Sequence, residues 1–81
     1  MQYHANMAGI KKLVQKMKDQ PHGITLEEAD RVLRHYGYAC KRIEGSHRQY
    51  AGAEKDVITI AGTGQIKKAY VIDILKRIGE K

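Results

Sequence analysis

Phenylalanine and tryptophan are absent from this 81-residue chain, and cysteine and proline occur once each. Without the large hydrocarbon aromatics, any core must be filled by aliphatic side chains and the five tyrosines. A lone cysteine, Cys40, excludes an internal disulfide and a cysteine-based zinc site. No apolar run approaches the ~20 residues of a membrane-spanning helix. The opening residues, Met1 to Asn6, lack the hydrophobic stretch of a secretory signal. A cytoplasmic protein with no membrane partner is expected. Acidic residues are also scarce, nine against fifteen Lys and Arg, which leaves a net charge of +6.

That surplus on so small a body suits a polyanionic partner, and nucleic acid comes first among these. The length argues for one domain with a thin core. Hydrophobic residues make up 42% of the chain, enough to build that core, and the charged share of 30% is too ordinary for wholesale disorder. Residues 1–6 are read as a tail and 7–81 as a single domain.

Along the chain, Met7, Ile10, Leu13, Val14 and Met17 recur at helical spacing, which predicts a first helix from about Met7 to Lys18. The Gln20-Pro21-His22-Gly23 stretch ends it, because proline lacks the donor and glycine permits a tight turn. Thr25 followed by Glu28 fits a capping box, and Glu27, Glu28 and Asp30 suit the positive end of a second helix. Leu26, Ala29, Leu33 and Tyr36 form its expected buried stripe, and Gly37 is placed to cap it.

From Tyr38 the period changes to two. Tyr38 to Ile43, His47 to Ala51 and Val57 to Ile60 read as strands, joined by a turn at Gly45 and a polar loop from Gly52 to Asp56. The loop Gly62-Thr63-Gly64 follows. A last helix is expected from about Lys68 to Ile78, with Val71, Ile74, Leu75 and Ile78 on one face and Gly79 as its cap. The order α-α-β-β-β-α predicts an α+β domain, a three-stranded antiparallel sheet with helices on one face and the other face open. Tyr38, Cys40, Tyr50, Ile58 and Ile60 are the expected inward residues. Strict alternation puts Lys41, His47, Gln49 and Thr59 on the open face, and a bulge between Gly45 and Tyr50 would invert that.

The stretch Leu33-Arg34-His35-Tyr36-Gly37-Tyr38, followed by Lys41-Arg42-Ile43-Glu44-Gly45-Ser46-His47-Arg48-Gln49-Tyr50, resembles the HicA family of bacterial and archaeal toxins. Its pattern is a helix ending in glycine plus an aromatic, a strand, Gly-Ser-His, a second and third strand, and a closing helix. The resemblance runs from about Thr25 to Ile78 and leaves the first helix as an N-terminal addition. It implies a double-stranded-RNA-binding-like fold, an mRNA interferase activity and a HicB-like antitoxin as partner. After the third strand the family often carries Pro and His, whereas this chain has Ala61-Gly62-Thr63-Gly64, so no second catalytic histidine is indicated.

RNA is cleaved when its 2′-hydroxyl loses a proton and attacks the adjacent phosphorus. Histidine suits the proton steps and Lys or Arg the phosphorane charge. DNA lacks the attacking group. On this reading His47 is the catalytic acid or base. Gly45 permits close backbone approach, and Ser46 offers a hydrogen bond to phosphate. Lys41, Arg42 and Arg48 are expected phosphate contacts. Lys67 and Lys68 join them, because cations at a helix start oppose its dipole and an anion there relieves the conflict. Gly62-Thr63-Gly64-Gln65 lacks full phosphate-loop spacing and reads as a plain loop. His4, His22 and His35 are scattered, and the carboxylates show no two-metal pairing. No metal or cofactor is expected. The alternative is a noncatalytic double-stranded-RNA-binding module, for which the charge and the fold class suffice.

Overall fold

The computed structural model describes residues 7–53 and 56–79, with side chains from Gly9 onward. The expected tail, the side chain of Met7 and the middle of the Gly52–Asp56 loop lie outside these residues. Three helices and a three-stranded antiparallel sheet follow in the expected order: α1 (Met7–Asp19), α2 (Leu26–His35), β1 (Ala39–Glu44), β2 (His47–Ala51), β3 (Val57–Ala61) and α3 (Lys68–Arg77). The sheet order is β1-β2-β3.

Helix α1 buries Ile10, Val14 and Met17 in the common core, with Leu13 packed against it. It is therefore an integral layer of the domain. Helix α2 begins with the expected capping box: the Glu28 amide donates to Thr25 Oγ1 at 3.1 Å, and the Thr25 amide donates to Glu28 Oε1 at 3.0 Å. Its buried stripe is Leu26, Ala29, Val32 and Leu33. Tyr36, expected on that stripe, is instead the C-cap residue and is exposed. Gly37, at φ 92°, closes the helix, with the Tyr38 amide bonded back to the Leu33 carbonyl and the Gly37 amide to that of Arg34.

On the sheet, Tyr50, Ile58 and Ile60 face the helices and are buried, while His47, Gln49 and Thr59 are exposed on the other face. Tyr38 is buried just before β1, and Cys40 is half-buried against the core. The register is broken in β1, not at the hairpin. Cys40 pairs with Tyr50 and Arg42 with Gln49, so Lys41 occupies a bulge outside the ladder. The segment between β3 and α3 is stitched to the start of α2: Gly64 accepts from the Leu26 amide at 2.7 Å, and the Ile66 amide donates to the Ile24 carbonyl at 2.9 Å. Both isoleucines are buried. Among the described residues, no helix is long and apolar enough to cross a membrane.

Candidate active site

A two-residue turn, Gly45-Ser46, joins β1 to β2, and Gly45 takes the left-handed conformation that so tight a turn requires, φ 60°. The turn makes Glu44 and His47 direct cross-strand partners. On its other side His47 pairs with Ala61 of β3, and one step further Arg42, Gln49 and Thr59 form a row across all three strands. Five side chains, Arg42, Glu44, His47, Gln49 and Thr59, line a hollow of about 130 Å³ on the uncovered face. Arg42 Nη2 donates to Glu44 Oε2 at 2.6 Å. Both side chains are mostly exposed, so a ligand reaches the pair directly.

The predicted residues divide between several places. His47 and Arg42 come together in the hollow. Gly45 and Ser46 do not line it but form the turn between Glu44 and His47, where the Ser46 carbonyl accepts from the Gly62 amide at 2.9 Å and ties the turn to the loop after β3. Lys41, displaced by the bulge, does not line the hollow, and Arg42 takes the ladder position that alternation assigned to it. Lys67 is the N-cap residue of α3, without a side-chain cap, and Lys68 follows it; both are exposed.

Arg48 lies on the helix-covered side of the sheet, because neighbouring strand residues point to opposite faces. There it lines a second cleft, about 510 Å³, with Glu27, Asp30, Arg31, Arg34 and His35 of α2. The cleft is braced from below: Tyr50 Oη donates to Asp30 Oδ1 at 2.6 Å, and Arg34 Nε donates to Asp30 Oδ2 at 2.8 Å. Burial, then the bond to Asp30, pushes the Tyr50 phenol up to about 12. Two carboxylates thus share the cleft with the three arginines and partly offset them.

Glu44 is the residue that sequence reasoning passed over. The signal was present, since Glu44-Gly45-Ser46-His47 is a two-residue hairpin turn with its flanking pair, and such a turn sets the flanking side chains opposite each other. Among the described residues, no three His, Cys, Asp or Glu side chains converge as a metal site would require. No known family, curated protein or solved structure matches the chain.

Proposed function

We propose that this chain is an endoribonuclease that cuts RNA by the 2′-hydroxyl route without a metal ion. On the HicA resemblance, it acts as the toxin of a type II toxin–antitoxin pair, cutting mRNA in the cytoplasm under restraint by a HicB-like antitoxin. The observation that carries the reading is the setting of His47: an exposed imidazole on the uncovered sheet face, sharing a hollow with the Arg42 guanidinium. An imidazole moves protons near neutral pH, and a fixed guanidinium stabilises the charge that builds on phosphate oxygens.

In this reading His47 performs one proton transfer and Arg42 receives a non-bridging phosphate oxygen. The exposed Ser46 hydroxyl contributes a further hydrogen bond from the turn, and Gly45 keeps the turn low enough for the backbone to approach. Lys41, Lys67 and Lys68 hold the RNA beyond the scissile phosphate, while Arg48, turned to the helix-covered side of the sheet, takes no part at this face. The test is incubation of the purified chain with RNA in a metal chelator. Cleavage leaving a cyclic phosphate and a 5′-hydroxyl is expected, and His47→Ala should slow it about 10²–10⁴-fold. A gel shift with no cleavage would instead mark a noncatalytic RNA-binding module. Undiminished cleavage by a folded His47→Ala chain would remove His47 from the chemistry.

A further inference from the structure

The 2′-hydroxyl route needs two proton transfers, one from the attacking oxygen and one to the leaving oxygen. Five side chains line the hollow. Gln49 and Thr59 do not titrate in the working range, and a guanidinium does not give up its proton. Glu44 and His47 are the two that remain. They are cross-strand partners across the tightest part of the hairpin. Side chains so placed stand about 5 Å apart at Cβ, a spacing that lets both reach one phosphodiester.

We propose that Glu44 is the second catalytic residue of this site, the general base that takes the 2′-hydroxyl proton while His47 protonates the leaving 5′-oxygen. The proposal rests on the ribonuclease reading above and assigns the half of its chemistry that reading leaves open. In the step, the O2′–H proton passes to the Glu44 carboxylate, O2′ bonds to phosphorus, and the P–O5′ bond breaks. O5′ receives the proton carried by the His47 imidazolium. The products are a 2′,3′-cyclic phosphate and a 5′-hydroxyl, with no oxidant, reductant or co-reactant consumed. Glu44 ends protonated and His47 neutral, and exchange with water resets both.

The division of labour follows from Arg42. Glu44 already accepts a hydrogen bond from the guanidinium, which casts its side chain as the acceptor of the pair and leaves the imidazole as the donor. The Arg42–Glu44 contact also gives substrate a way to switch the site on. It is an exposed ion pair, of the sort worth little in water, so a phosphate oxygen can take over the guanidinium at small cost. Arg42 then leaves the carboxylate for the phosphate and frees Glu44 beside the ribose. The ionisable groups facing Glu44 in the hollow are Arg42 from its own strand and His47 from β2, while β3 contributes Thr59.

The experiment compares two substrates in single-turnover cleavage: an ordinary oligoribonucleotide, and one with sulfur in place of the bridging 5′-oxygen at the cleavage site. A thiolate leaves without being protonated, so the sulfur substrate needs a base but no acid. On ordinary RNA, Glu44→Gln and His47→Ala should each lose about 10²–10⁴-fold. On the sulfur substrate, His47→Ala should return to within about tenfold of the parent chain, while Glu44→Gln stays down by its full factor. Glu44→Asp, which keeps the carboxylate, should retain more activity than Glu44→Gln on both. Wild-type cleavage by Glu44→Gln would overturn the assignment while leaving the ribonuclease reading intact, and so would rescue of Glu44→Gln by sulfur. A parent chain that cuts neither substrate overturns both.

Discussion

Gly52 sits against the pinned ring of Tyr38. A Cβ built there would lie 2.8 Å from Tyr38 Cε2 and 3.0 Å from Cδ2, closer than carbon atoms pack. The ring has little room to retreat, because Tyr38 is buried and its hydroxyl donates to Asp56, a carboxylate that also receives Arg77. Burial, reinforced by Asp56, pushes the Tyr38 phenol up to about 12, so it stays a neutral donor across the physiological range. Gly52→Ala should therefore cost about 1–3 kcal/mol, the usual penalty of overpacking. Urea unfolding of Gly52→Ala, and of the same change beside Tyr38→Leu, checks this. The second background should recover part of the loss, and an unchanged midpoint in the single variant would show that the ring yields freely. At this scale the sequence was most legible where residue type alone decided the matter. Glycine and serine at 45 and 46 announced the turn between the first two strands. Arg48 was legible too, since the alternation that exposes His47 sends its neighbour to the opposite face. Grouping the cations by proximity in sequence hid that consequence.

The capping box of α2 has a tertiary extension that no local pattern contains. Glu28 holds the Thr25 amide and also receives Lys16 Nζ of α1 at 2.7 Å, which binds the first two helices together. Partial burial works to raise the Glu28 carboxyl, but the Lys16 bond, the Thr25 amide and the Lys16 charge together outweigh it, and the net shift is downward. A carboxyl lowered on folding adds stability above its unfolded value and loses it as pH falls through its folded value. The chain should therefore soften on acidification through and below the ordinary carboxylate range. Glu28→Gln should be less stable than the parent at neutral pH and approach it at acid pH, which thermal unfolding across pH would register. A constant gap between the two would assign the loss to packing alone. Helix starts and stops were readable because capping chemistry is local and 3.6-residue periodicity is strong. The β1 bulge was not, because Ala39-Cys40-Lys41-Arg42-Ile43-Glu44 has no apolar alternation firm enough to fix its register. Ile24 and Ile66 escaped for a similar reason: each is an isolated apolar residue outside any periodic segment, and the backbone bonds between their segments bring them into the core.

On the scale of the whole molecule, the two sides of the sheet have different tasks. One is consumed by the core, which takes Ile10, Val14 and Met17 of α1 as well as the stripes of α2 and α3. Among the described residues, helix α1 thus keeps no spare apolar stripe for a partner. The other side is uncovered and graded along its length. At one end are Arg42, Glu44, His47, Gln49 and Thr59, and at the other the row Ala39, Ala51 and Val57, with Val57 48% exposed. On the toxin reading proposed above, a restraining antitoxin would find its best footing there: an apolar row to bury, and beside it the exposed cations of a chain carrying +6. Complementary charge would speed and orient the encounter, and burying His47 would deny RNA the geometry it needs. Amide hydrogen exchange of the free chain and of its complex with the antitoxin should show protection concentrated between Arg42 and Tyr50 and along β3. Helix α1 should exchange as it does in the free chain. Protection confined to α1, with the hairpin exchanging as before, would mean that restraint acts from a distance and that the open sheet face is left to RNA alone.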